Sequence, residues 1–166
     1  MTDTTLAAAE RGTNPLLRVV GAINASFARI PTWIPLLVLR LTVAIPFWKS
    51  GLTKWYGFLQ VSPSANYLFA NEFKLHLFGA DVAYPAPELM AFLSGVGEMV
   101  LPVMLVLGLG TRFAAFGLLI MTGIIQLTLP DAWQNFHLPW AAMLLPILVY
   151  GPGAASIDRW LLRDRA

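Results

Sequence analysis

Residues 87–129 read PELMAFLSGVGEMVLPVMLVLGLGTRFAAFGLLIMTGIIQLTL. Two apolar runs, 87–109 and 112–129, each approach the ~20 residues an α-helix needs to cross ~30 Å of hydrocarbon. Only Gly110 and Thr111 separate them. A connection that short makes the two helices antiparallel neighbours. Within the stretch only Glu88, Glu98 and Arg112 carry charge.

The rest of the chain extends the pattern. Of its 166 residues, 57% are hydrophobic and 12% charged, with mean hydropathy +0.66, too apolar for a small water-soluble domain. Upstream, Trp33 opens an apolar run to Tyr56, with Trp33, Trp48, Trp55 and Tyr56 suited to interfacial positions. Downstream, a shorter run over 133–150 is entered through Gln134, Asn135 and His137 and interrupted by Pro139 and Pro146, which neighbouring helices accommodate. The expected fold is all-α: an integral membrane four-helix bundle over 33–151, with helices at about 33–56, 87–109, 112–129 and 133–150. Four such helices leave no room for a second domain.

Three flanking pieces complete the expectation. In the segment 1–32, Leu16, Val20, Ile23, Phe27 and Ile30 recur at three- and four-residue steps, predicting an amphipathic helix on the membrane surface. The polar connection 57–86 is expected to hold a short interfacial helix capped by Ser64, with Phe69, Phe73 and Leu77 on one face. Residues 152–166 form a basic tail. The first fifteen residues lack the pattern of a secretory signal, so the first membrane helix is expected to direct insertion. Placing Arg11, Arg18, Arg29, Arg112, Arg159, Arg163 and Arg165 on the cytoplasmic side leaves Lys54 and Lys74 outside, which predicts an inner-membrane protein with both termini cytoplasmic.

Composition also excludes chemistry. With no cysteine, the chain has no disulfide, thiolate metal site or CxxC pair. A net charge of +2, with arginines gathered at the ends, does not describe a nucleic-acid surface. No GxSxG, P-loop or GxGxxG is present. His76 and His137 are both expected on the outer side, where they could meet, although a lone interfacial histidine is more often solvated or hydrogen-bonded than a metal or haem ligand.

The informative residues are the charges inside apolar spans, because such a charge near the bilayer centre costs about 2.5–3.5 kcal/mol and normally faces a partner or a cavity. Arg40 lies ~10 Å above the inner end of the first helix and Glu98 ~16 Å above that of the second. They are expected to form a buried ion pair, which either only orients two helices or serves a function. Phe47, Gly51 and Lys54 share the face of Arg40. Lys54 is expected to meet Glu88 at the outer end, and a polar crevice between the first two helices to be bounded by Phe47 and Trp48.

Three segments together resemble the DoxX-like family of small membrane proteins. They are LRLTVAIPFWKSGLTKW, with Arg40, Gly51 and Lys54; GEMVLPVMLVLGLGTRFAAFGLL, with Glu98, Gly108, Thr111 and Arg112; and GPGAASIDRW, with Gly151, Pro152, Gly153, Ser156 and Asp158. The resemblance implies a compact four-helix membrane bundle, and the family takes its name from subunits of a thiosulfate:quinone oxidoreductase. The expected function is therefore a membrane subunit of a quinone-linked oxidoreductase. Arg40, Glu98 and Lys54 would be the catalytic residues, and Phe47, Trp48, Gly51 and Glu88 would line the quinone site, with no metal. A cation there hydrogen-bonds a quinone oxygen and a carboxylate passes protons. Electrons then come from a redox partner subunit or a soluble donor. The alternatives are a small-solute or ion transporter, which needs a homo-oligomer because four helices are few for alternating access, and a non-catalytic anchor or assembly factor.

Overall fold

The computed structural model describes residues 14–162. Arg11, Arg163 and Arg165, counted above toward orientation, lie outside the described residues. Helix α1, Pro15–Phe27, starts at Asn14, whose side-chain oxygen accepts the Leu16 N–H at 3.0 Å, with Pro15 in the first turn. None of its residues is buried, so its stripe of Leu16, Val20, Ile23 and Phe27 stays open.

Helix α2 spans Trp33–Leu52, four residues short of the expected end, because the chain turns at Thr53 and Lys54 into a hairpin of β1, Trp55–Gly57, and β2, Gln60–Val61. Next come α3, Pro63–Tyr67, and a wider π turn, Leu68–Glu72. Ser62, not Ser64, caps α3, its hydroxyl accepting the Ala65 N–H at 3.2 Å. The expected interfacial helix stops at Glu72. Leu77 belongs instead to β3, Lys74–Leu77, which pairs with β4, Ala80–Ala83, through Phe78 and Gly79, both at the positive φ that a tight two-residue hairpin needs.

Helices α4, Pro87–Leu107, and α5, Thr111–Thr128, follow, joined by a three-residue turn. A π turn, Trp133–His137, leads into α6, Leu138–Tyr150, and the last described element is α7, Ile157–Leu162. Pro139 falls in the first turn of α6, where its missing N–H has no intrahelical acceptor to lose.

α2 packs on α4 and α6, and α5 packs on α4 and α6, so the four close into a ring. Inside it lie Val43, Phe47, Leu105, Ala114, Leu118 and Leu144. Outside, Val38, Ile45, Leu93, Val100, Phe113, Phe116 and Ile120 are exposed. α2, α4 and α5 are long and apolar enough to cross a membrane, yet only 28–33% of each apolar window is buried. An apolar exterior of this extent suits hydrocarbon and not water, so this is an integral membrane protein.

The two ends of the ring are closed differently. Over one, here the cap end, Phe69 stacks on Phe73 and Tyr84, and the Tyr84 and Thr128 hydroxyls bond to each other. At the other, the termini end, α4 stops at Gly108 (φ 71), with the Leu109 N–H donating to the Met104 carbonyl and the Gly108 N–H to that of Leu105. Residues 152–158, expected within the basic tail, fold back over this end: a Cβ on Gly153 would lie 2.9 Å from the Trp33 Cα.

Candidate functional site

The register between α2 and α4 decides which charges meet. Gly51 lies directly against Glu98: a Cβ added there would stand 3.1 Å from the Glu98 backbone carbon. Arg40, eleven residues earlier on α2, is therefore about 16 Å below Glu98 by helical rise, level with the end of α4.

Arg40 accordingly bonds to that end. Its Nε donates to the Leu105 carbonyl at 2.7 Å and its Nη2 to that of Val106 at 2.7 Å. Nη1 reaches the Pro152 and Ala155 carbonyls at 2.8 and 2.9 Å. Four carbonyls, two of them in the last turn of a helix, stabilise a fully buried guanidinium through partial charges and the helix dipole. Beside it, Asp158 accepts the Gly110 and Thr111 N–H groups at 2.7 and 2.9 Å and the Thr111 hydroxyl at 2.9 Å. Burial alone would raise the Asp158 carboxyl, but those three donors and the Arg40 charge outweigh it and hold the group below its ordinary value. The expected Arg40–Glu98 pair is thus replaced by a staple joining α2, the α4–α5 turn and the C-terminal segment.

Glu98 pairs instead with Lys54, which was expected to meet Glu88. Lys54 Nζ is 2.6 Å from Glu98 Oε2, and the side chains are 12% and 3% accessible. The Ser50 hydroxyl accepts a second Lys54 N–H at 3.1 Å, and the Ser94 hydroxyl donates to Glu98 Oε1 at 3.1 Å. An ammonium has three donors, and two have partners here, which leaves one for a ligand. Each serine sits one helical turn before the charge it serves, a spacing readable in the sequence.

This pair lies in the wall of a cavity of ≈ 490 Å³ toward the cap end. Phe47, Tyr84, Phe136 and Trp140 supply aromatic surface, Met121 and Ile124 aliphatic surface, and Thr128 and His137 polar groups. Of the residues expected to form a site, Lys54, Glu98 and Phe47 come together there. Trp48 turns outward and lines a separate groove between α2 and α4 together with Lys49. Gly51 serves the helix crossing, Glu88 is exposed at the start of α4, and Arg40 belongs to the termini end. The crevice between two helices is therefore a chamber among α2, α4, α5 and α6. His76 and His137 do not pair: His76 Nδ1 bonds the Leu127 carbonyl, and His137 Nδ1 bonds Gln126 Oε1 at 2.6 Å.

A family model described as DoxX matches residues 35–131, more than half of the chain. The chain belongs to the DoxX family. An uncharacterized protein of Haemophilus influenzae is 27% identical to it over 140 residues, covering 78% of this chain and 84% of the relative. No solved structure matches. In this DoxX protein the matched span holds Arg40, Lys54, Glu98 and Thr111, whereas His137 and Asp158 lie beyond it.

Proposed function

We propose that this DoxX membrane protein is a subunit of a quinone-linked oxidoreductase and that the cavity beside Lys54 and Glu98 takes the quinone ring. The observation that carries the reading is a half-buried ammonium with one N–H unused among the described residues, seated in the wall of an aromatic cavity of ligand size. When bound, a quinone supplies a carrier of two electrons and two protons. Lys54 donates to a ring oxygen, Glu98 fixes the ammonium and offers a carboxylate for proton exchange, and Phe47 and Trp140 flank the ring. In this reading the electrons come from a separate redox subunit or a soluble donor.

Orientation follows from charge. Arg18, Arg29, Arg112 and Arg159 gather toward the termini end and Lys74 lies in the cap, so the termini end faces the cytoplasm of the inner membrane. The open apolar stripe of α1 then rests on the cytoplasmic leaflet.

The test is the quinone content of protein purified in mild detergent, compared between wild type and Lys54→Met, with thermal unfolding measured on both. Stoichiometric quinone in wild type, lost in a variant that still unfolds cooperatively, is expected. Wild type without quinone, or a variant that keeps all of it, sinks the assignment.

A further inference from the structure

The cavity has a second polar pole whose tautomer is set by its neighbours. Gln126 Nε2 donates to the Pro130 carbonyl at 3.1 Å. A carbonyl only accepts, so this bond sets the amide orientation and turns Gln126 Oε1 toward His137. His137 Nδ1, 2.6 Å from that oxygen, must then carry the proton. In the neutral ring Nε2 is left as an acceptor, and among the described residues only Nδ1 of His137 makes a hydrogen bond. The side chain is only 2% exposed and lines the cavity.

The placement is equally specific. His137 ends the π turn before α6, and wide turns of this kind recur at functional sites. Its ring lies 5.4 Å from that of Trp140, which lies 4.9 Å from that of Phe47, one turn before Ser50 on the helix leading to Lys54. A continuous aromatic wall thus connects an acceptor pole at His137 with a donor pole at Lys54.

We infer that His137 Nε2 accepts the hydroxyl of a bound hydroquinone, at the ring oxygen opposite the one held by Lys54, so that the cavity distinguishes reduced from oxidised ligand. This rests on the quinone reading above and adds which redox form is recognised, and by which atom. Neutral His137 favours the reduced form, whose hydroxyl donates. Protonated His137 turns Nε2 into a donor and favours the oxidised form, whose carbonyl accepts. The other titratable groups on the cavity are Lys54 after α2, Glu98 on α4 and Tyr84 before α4; α5 and α6 contribute Thr128 and Trp140, which carry no charge.

The experiment titrates the detergent-purified full chain with a decyl-tailed benzoquinone, oxidised and reduced, between about pH 4.5 and 8, following tryptophan fluorescence. In wild type, reduced-form affinity is expected to fall and oxidised-form affinity to rise as pH drops to the foot of the histidine range and below it. His137→Phe should lose about tenfold in reduced-form affinity, the scale of one hydrogen bond, while keeping the oxidised form. His137→Gln, whose amide still accepts but does not titrate, should retain reduced-form affinity with a flat pH profile. If wild type binds both forms and the two variants match it at every pH, the role of His137 is overturned while the Lys54 site stands. If wild type binds neither form, both readings fall together.

Discussion

With Glu98 3% and Lys54 12% accessible, little water reaches either charge to replace its partner. Glu98→Leu, or Lys54→Met, should therefore destabilise the protein by about 3–5 kcal/mol, the usual result of leaving a buried charge alone. The double variant Lys54→Met with Glu98→Leu should recover most of that loss. Thermal unfolding of the four proteins as a double-mutant cycle checks it, and additive effects would refute the coupling. The charges themselves were legible in the sequence, because Arg40, Lys54 and Glu98 interrupt runs that are otherwise apolar. Their partners were not. Measuring heights from the ends of the apolar runs treats those ends as level, whereas α2 overhangs α4 by several residues and the 152–156 backbone covers the overhang. A row of carbonyls, which no side-chain pattern announces, became the counter-charge of Arg40. His137 was hidden for a related reason: its role depends on the Gln126 amide, eleven residues away on another element.

Among the elements, glycines mark where helices and loops meet most closely. At Gly108 a Cβ would stand 2.5 Å from Ser156 Cβ and 2.7 Å from Arg40 Nη2, at a φ of 71°. Gly108→Ala should thus incur about 1–2 kcal/mol of left-handed backbone strain in addition to displacing the staple. Gly123, with nothing within 4 Å of a Cβ, is the control, and Gly123→Ala should be neutral or slightly stabilising. Limited proteolysis after Tyr150 reads the difference: faster cleavage in the Gly108 variant alone is expected, and equal rates in both would refute it. Long helices were legible because composition and length speak for them. The cap was not. β1 to β4 are two to four residues each, too short for alternation to show, and their hairpin tips place Leu59, and Phe78 beside Gly79, at positive φ, where bulky residues give no turn signal.

For the whole molecule, the ring of helices exposes a broad apolar outer surface and gathers its inward-facing charges in two places, one toward each end. The termini end should be acid-sensitive. Asp158 has a carboxyl held below its ordinary value, so its contribution is complete above the normal carboxylate range and is lost as pH falls through the lowered value. Unfolding temperature in detergent is expected to fall below about pH 4, and Asp158→Asn should lower stability at neutral pH while flattening that acid limb. An unchanged acid limb in the variant would assign the sensitivity to other carboxylates.

The staple also sets an order of events during synthesis. Arg40 lies 112 residues before Pro152 and 115 before Ala155. At ~5–20 residues per second, the ribosome delivers those carbonyls on the order of 5–20 s after it delivers the arginine. Until then the nascent first span carries a cation that lacks half of its eventual ligands, and it must wait near the lipid headgroups or against the insertion machinery. Docking of the 152–158 segment is thus the step that commits the first helix to its final depth. A chain halted before Gly151 should remain a client of membrane quality control even with all of its long helices made.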